Sequence, residues 1–532
     1  MIQDNDCGTR EMDEIYKEVV IVGNGPSGIC LSYMLAGNWP YYTGEPHPGD
    51  EMLTARLHFS TRAASTDNIL ENDGGDGGTL GRSCKRDKIG LAHSTRCGLE
   101  CLSSGLEGRS GGRPLALLMD QLQHPCVDAG LDLPSLLTWK SVEDHPEHKI
   151  IDHVVLGKGP PGGAWQSMDP NVLTISLSRW MSLPGLDLRK WEQLIESEQT
   201  DKCHSQEKAS CKAASRVSVG TVAAYYKDYV LRQGLQKYFR SGTTVTSAKP
   251  VSTENEGETE WIVEGFENET GKKFRYRCRR LVLATGTTDS SNRLGIPGEE
   301  SETSWVTHDL NDLESRLDLL AKEFSVDPVL VVGAGLSAAD AVIAARFRGI
   351  PVLHAFRDSS GDSWRKDNDE DAGIKLGGSG YDRLQWLPAS IYPEYHKVYE
   401  MMADGGTNYP LYKALPGYNL VELGNSSNKT VTLCAPNGRL ETYCVSVAAI
   451  LIGSKPDLSY LENGGLGLGK NPIKPVDSRS NPIEIDNYTY EVTQAPGKNL
   501  YAMGPLVGDN FVRFVLGGAF GILTHILHTS NT

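Results

Sequence analysis

Four stretches of the chain are continuously apolar and then break into glycine. Glu18-Val-Val-Ile-Val22 runs into Gly23-Asn-Gly-Pro-Ser-Gly28 and an apolar helical stretch to Leu35. Arg280-Leu-Val-Leu-Ala-Thr-Gly286 is the second run, and Pro328-Val-Leu-Val-Val-Gly333 the third, followed by Gly333-Ala-Gly-Leu-Ser-Ala338 and a helix to about Arg346. Leu500-Tyr-Ala-Met-Gly504 is the fourth. A continuous apolar run, then glycine, then helix predicts parallel strands covered on both faces, as in a doubly wound α/β sheet. Two such starts, about 310 residues apart, predict two nucleotide-binding domains.

The intervening regions are more polar. Thr61 to Arg113 is rich in Gly, Ser, Asp and Arg, with Gly74-Gly75-Asp76-Gly77-Gly78 at its centre, and reads as a mobile insertion. Glu196–Ser218 reads as a loop and Asp358–Gly380 as a polar excursion. No repeat of solenoid or propeller period occurs.

Composition narrows the class. The 532 residues carry 39% hydrophobic and 23% charged residues, ordinary for a globular protein. The net charge of −16 argues against nucleic-acid binding and against adhesion to anionic membranes. The 11 cysteines are irregularly spaced with no CxxC, which favours reduced thiols inside a cell. The acidic N-terminus has no secretory core. Phe511–Leu527, the last candidate span, is interrupted by Arg513, three glycines and His525. The expectation is a cytoplasmic chain with no transmembrane segment.

The chemistry sits in the glycine turns. Gly23, Gly25 and Gly28 fall where a dinucleotide fingerprint must, after a strand and opening a helix with Pro26 and Ser27 in its first turn. The first glycine makes the turn, the second lets the backbone approach a diphosphate, and the third allows close helix–strand packing. Gly333, Gly335 and Ala338 repeat the arrangement, with Ser337 in the helix start. Pro351–Arg357 reads as the next strand, ending in Arg357, 24 residues after Gly333. An acid there would bind a ribose 2′-hydroxyl, whereas arginine suits a 2′-phosphate, so NADPH is favoured over NADH. A solvated arginine at a strand end is the plain alternative.

With Thr285-Gly286 closing a strand, this combination resembles the two-dinucleotide-binding flavoproteins, which hold FAD on one domain and NADPH on an inserted one. Gly162-Gly163-Ala164-Trp165 and Met181-Ser-Leu-Pro184 resemble segments of flavin-containing and Baeyer–Villiger monooxygenases. A closer resemblance is to the oxidative stress-induced growth inhibitor family. It is carried by Gly23–Tyr33, Gly105–Ser110, Gly333–Asp340, Tyr392-Pro-Glu-Tyr-His-Lys-Val398 and Gly504–Phe514. The resemblance implies an FAD-containing, NADPH-dependent monooxygenase-like protein linked to growth control, cell death and cytokinesis. Gly163 and Trp165 would then lie at the flavin, and the nucleus or midbody joins the cytoplasm as an expected location.

Three departures stand against the monooxygenase pattern. Gly157, or its neighbour, stands where an acid normally grips the FAD ribose; Glu45, 22 residues after Gly23, could substitute if its segment supplies the second strand. His308 survives from the identifying sequence of these enzymes without its aromatic and glycine partners. The asparagine placed near the flavin is replaced around Ile175-Ser176. At the C-terminal end, Gly508-Asp509 fits an acid binding the ribitol hydroxyls, with helix capping as the alternative. His396 reads as a satisfied histidine more than a nicotinamide contact. His145, His148 and His153 lack metal-ligand spacing, and no nucleophile motif occurs.

The expected architecture is α/β, a discontinuous Rossmann-like FAD domain with an inserted second Rossmann-like NADPH domain. Residues 14–60, 137–300 and 441–532 form the FAD domain, 61–136 a partly disordered insertion, and 301–440 the NADPH domain. The expected reaction is hydride transfer from NADPH to FAD, then delivery of one atom of molecular oxygen to a small-molecule or protein side-chain substrate. An uncoupled NADPH oxidase and a nucleotide-sensing regulator acting through protein partners are the alternatives, and no catalytic side chain or metal is assigned.

Overall fold

The computed structural model describes residues 14–67, 90–106, 112–200, 215–252, 259–299, 304–357, 384–385 and 387–529. The chain divides into two compact units, Met1–Thr287 with Pro456–Thr532, and Thr288–Lys455.

The first unit contains β1 (Glu14–Val22), α1 (Pro26–Leu35), β2 (Trp39–Tyr42), α2 (Glu51–Asp67), α3 (Arg96–Ser103), α4 (Pro114–Gln123), β3 (Leu137–Lys140) and β4 (His153–Gly157). There follow α5 (Leu188–Thr200), α6 (Val219–Arg232), β5 (Phe239–Ser241), β6 (Thr243–Ser252), β7 (Thr259–Glu267) and β8 (Lys273–Leu283). Strand Leu500–Ala502 and helix Val515–Thr529 close it. Strands β5, β4, β1, β8 and Leu500–Ala502 run parallel in that spatial order. The burial of β8 follows its partners: it alternates along Lys273–Cys278, beside antiparallel β7, and is continuously buried from Arg280 to Leu283, between β1 and Leu500–Ala502. A one-faced antiparallel ribbon thus becomes a two-faced parallel core within one strand. Arg280 is buried there, bonded to Glu18 and to Thr529 Oγ1 at 3.0 Å.

Helix Val515–Thr529 packs inside this unit. A Cβ at Gly517 would overlap the Ala116 backbone, so its glycine permits a close crossing with α4. The apolar stretch Val512–Thr529 is long enough to cross a membrane by length and composition, but 78% of it is buried within the fold.

The second unit contains β9 (Ser290–Ser291), β10 (Val306–Thr307), α7 (Leu310–Leu320), β11 (Val329–Val332), α8 (Leu336–Phe347), β12 (Val352–Phe356), helix Pro393–Ala403, β13 (Tyr412–Pro416), β14 (Asn419–Leu423), β15 (Thr430–Cys434), β16 (Leu440–Cys444), β17 (Ala448–Ile450) and β18 (Ser454–Lys455). Its sheet, in the order β10-β17-β11-β12-β13, is wholly parallel. An antiparallel ribbon, β14-β15-β16, packs its apolar side chains against the same core.

Both parallel sheets match the expected α/β class. Three particulars bear on the sequence reading. The second unit runs from Thr288 to Lys455, wider than 301–440, because β17 completes its sheet by pairing with β11 and β10. The insertion 61–136 is ordered where it is described: α4 buries Leu115, Leu118, Met119 and Leu122 in the core, while residues 68–89 and 107–111 lie outside the described residues. Glu45 does not follow the second strand of the nucleotide fold. The strand before it, β2, pairs with β3 outside the sheet of β1, and the strand that lies beside β1 on the side away from β8 is β4. Of the two polar connections, 196–200 belongs to α5, and 201–214 and 358–380 lie outside the described residues.

Candidate functional site

The first cradle is formed where β1 ends against the ends of β4 and β8. Gly23 accepts a φ of 116°, and a Cβ there would overlap the carbonyl of Ala284, so neither the backbone nor the space admits a side chain. A Cβ at Gly28 would overlap Gly23's carbonyl oxygen. Gly25 is different: the nearest atom to its Cβ position is Gly162 O, at 4.0 Å. The polypeptide does not need glycine at 25, which is the signature of a position kept small for a ligand. The Gly162-Gly163 turn lies over it, with Gly162 N donating to Asn24 O at 2.9 Å. Gly163 has a φ of 59°, and its Cβ position is 3.0 Å from Gly25 Cα.

Helix α1 starts at this turn with Gly25 as its N-cap, Pro26 in its first turn, no side-chain cap and no acid. Helices α3, α6 and α7 are capped by Thr95, Ser218 and Asp309, while α4 also lacks a side-chain cap, so it is the glycine turn ahead of α1 that sets this N-terminus apart. Uncapped N–H groups at the positive end of a helix dipole suit a phosphate. Thr285, next to the cradle, has a buried Oγ1 with no hydrogen-bond partner among the described residues, and Gly286 has open space at its Cβ position. Buried hydroxyls are rarely left unpaired, so this one points to a ligand atom. These features fit the diphosphate of a dinucleotide.

The C-terminal segment closes the first cradle. A Cβ at Gly504 would overlap Ser27 Oγ. Gly508 turns with φ 94°, and Asp509 is buried. Its Oδ2 accepts from Tyr490 OH at 2.8 Å, and Arg113 Nε lies 4.0 Å from Oδ1. Burial pushes this carboxyl up to about 6, against the pull of Arg113 and Tyr490. Asp509 therefore caps no helix; the short turn ahead of Val515 has Phe511 at its N-cap position and no side-chain cap. Trp165 is half-buried and packs edge-on against Tyr226, with ring centroids 6.1 Å apart.

The second cradle repeats the geometry. Gly333 has φ 134° and a Cβ there would overlap Leu451 O; Gly335 has nothing within 4 Å of its Cβ position. Ala338 is fully buried and Ser337 exposed. Helix α8 is likewise uncapped, with no acid in its first turn. Arg357 follows β12 directly and is exposed, with no hydrogen bond or ion pair among the described residues, while Asp358 lies outside them. This arrangement fits a nicotinamide dinucleotide.

Sequence reasoning missed the side chain that braces this turn. His354 on β12 is fully buried; its Nε2–H donates to Gly333 O at 2.7 Å and its Nδ1 accepts from Tyr412 OH at 2.9 Å. Burial lowers its pKa to about 4, so it is neutral at pH 7. His153 on β4 is the counterpart: Nδ1–H donates to Ile151 O at 2.7 Å, Nε2 accepts from Ser32 Oγ at 2.8 Å, and burial lowers it to about 4. A histidine inside an otherwise apolar strand was the available signal.

The other candidate histidines are structural or unassigned. His148 spends both ring nitrogens on Tyr41 OH and Gly37 O, which removes it as a metal ligand although His145 and Glu147 lie close by. His308 donates from Nε2 to Glu299 Oε1 at 2.9 Å, and Glu299 in turn accepts the backbone N–H groups of Leu294 and Gly295. His396 lies 3.7 Å from Glu400, and its buried Nδ1 has no partner among the described residues. Ser176 is buried, and its carbonyl accepts from Thr174 Oγ1 at 2.7 Å.

Comparison with known proteins agrees with this reading of the fold. Residues 194–356 match the pyridine nucleotide-disulphide oxidoreductase family model. The bacillithiol disulfide reductase of Bacillus cereus superposes with a TM-score of 0.51 at 15% identity, over 97% of this chain and 99% of that one. Ornithine hydroxylase of Pseudomonas aeruginosa gives 0.51 at 10% identity, over 97% and 100%. The fold is thus that of the two-dinucleotide-binding flavoproteins, with cradles that fit FAD and NADPH. Human oxidative stress-induced growth inhibitor 1 is 38% identical over 524 residues, covering 96% of this chain and 94% of its own. At that identity and coverage, the chain belongs to the oxidative stress-induced growth inhibitor family.

Proposed function

We propose that the protein is an NADPH-dependent FAD oxidoreductase of the monooxygenase type, acting in growth and stress control. The carrying observation is the doubled cradle: two helix N-termini without caps or acids, each behind a glycine whose Cβ position is open. When bound, FAD supplies hydride acceptance and oxygen activation. The chain's own residues bind and orient. Gly23, Gly25, Ser27 and Gly28 form the diphosphate turn, with Gly163 and Thr285 beside it and the Gly508-Asp509 segment at its far side. Gly333, Gly335, Ser337 and Ala338 form the second turn, and Arg357 pairs with the 2′-phosphate. Substrates of this reading are molecular oxygen and a small molecule or protein side chain, and its setting is the cytoplasm.

The test is spectroscopic. Purified protein should be yellow, and anaerobic NADPH should bleach it faster than NADH. Subsequent oxygen should give hydrogen peroxide in less than stoichiometric amount when substrate is present. Colourless protein that is stabilised by NADPH supports the second reading, a regulator that binds nucleotide without turnover. That reading is favoured by His308, whose bond to Glu299 commits it to holding a turn.

A further inference from the structure

An acid at the end of the second strand of a Rossmann unit ordinarily accepts the adenosine ribose hydroxyls. Here that strand is β4, which pairs with β1 through Val22 and Leu156 and ends in Gly157. The φ of Gly157 lies outside the left-handed region, so the backbone there accepts any residue. What excludes a side chain is Asn24. A Cβ at Gly157 would overlap the Asn24 carboxamide. The strand-end acid and the Asn24 side chain would compete for one volume, and this chain has filled it with the amide.

The amide is fixed and half-satisfied. Asn24 is only 4% exposed, and its Nδ2 donates to Gly159 O at 2.7 Å. That bond orients Oδ1, which has no hydrogen-bond partner among the described residues and is not sealed from solvent. The next residue, Lys158, lies 3.6 Å from Asp457, so the rim beside the amide carries an ion pair whose acid is already matched by a cation.

We infer that Asn24 Oδ1 is the acceptor for the adenosine ribose hydroxyls of FAD, replacing the missing acid with a neutral group. The inference rests on the FAD reading of the first cradle. A neutral acceptor makes a weaker hydrogen bond than a carboxylate. Ribose recognition should therefore be present but modest, and it should be transferable back to position 157.

The experiment uses full-length protein stripped of flavin and titrated with FAD and with its 2′- and 3′-deoxyadenosine analogues, followed by flavin fluorescence. Wild type should prefer FAD over at least one analogue by about three- to tenfold, one neutral hydrogen bond. Asn24→Ala should bind FAD and that analogue equally. Gly157→Glu alone should lose flavin by collision with Asn24, whereas Gly157→Glu combined with Asn24→Ala should restore the preference. Wild type that binds FAD without discriminating, or an Asn24→Ala protein that still discriminates, overturns the inference and leaves the FAD reading intact. Wild type that takes up no flavin overturns both. If Asn24→Ala alone does not fold, the double variant, whose new side chain fills the vacated space, decides the matter: a restored preference supports the inference and its absence overturns it.

Discussion

Acidification from pH 7 to pH 5 should weaken the second unit through His354. Burial lowers this imidazole to about 4 from an ordinary 6.5: protonation would bury a cation and take Nδ1 away as the acceptor for Tyr412 OH, although the bond donated to Gly333 O would survive. The unfolded chain therefore binds a proton that the folded chain does not, between pH 6.5 and 4. Stability falls as pH falls through that window. At pH 5 the linkage amounts to ~2 kcal/mol, from 1.36 kcal/mol per pH unit applied to the ratio of protonated populations. That is a sizeable share of the roughly 5–15 kcal/mol typical of a domain. The depressed carboxylates described in this unit, Glu299, Asp312 and Glu400, lose their contribution only below their ordinary pKa values, so they do not obscure the window. The first unit is a poorer test: His153 and His124 act in the same direction, but Asp509, raised to about 6, gains stability on acidification. The assay is urea unfolding at pH 7 and pH 5, with a deuterium pulse at one common pH and readout on peptides from β11 and β12. His354→Gln keeps a donor and an acceptor but does not titrate. It should abolish most of the difference between the two pH values. An equal loss in wild type and His354→Gln protein would refute the assignment.

Other outcomes follow from the same geometry. Gly25→Val should leave thermal unfolding of the apo-protein within a few degrees of wild type while reducing bound flavin at least tenfold, measured by absorbance after gel filtration; Gly335→Val should do the same for NADPH by calorimetry. Arg357→Ala should weaken NADPH by about 1.5–3 kcal/mol, the scale of a charge-assisted bond, and leave NADH nearly unchanged. Equal losses would remove the case for the phosphorylated form. Arg513 is buried against Asp120 and also reaches Asp128. Arg513→Ala should cost about 3–5 kcal/mol by denaturant unfolding, because it strands the buried Asp120 carboxylate.

Much of the fold was legible in the chain because both nucleotide turns impose their requirements locally. Gly23 needs a left-handed φ and Gly28 needs the absence of a Cβ, and both demands act on residues close in sequence to the strand they follow. The continuous apolar runs at Val19–Val22 and Val329–Val332 likewise declare burial on both faces without reference to any partner. Other features depend on partners far away in the chain. Nothing near Glu45 reveals that its strand joins β3, and β17 belongs to the second unit only because it pairs with β11. The region 61–136 holds α4, whose close packing uses a glycine about 400 residues further on, Gly517. The partners of the buried histidines and the exchange of a strand-end acid for Asn24 lay out of reach for the same reason. A side chain's neighbours across a sheet set its protonation and the space it leaves, and no local pattern records them. The amino-acid sequence determined where the phosphates can sit; the tertiary structure decided which side chains hold the rest of the nucleotide, since that depends on strands brought together from distant parts of the chain.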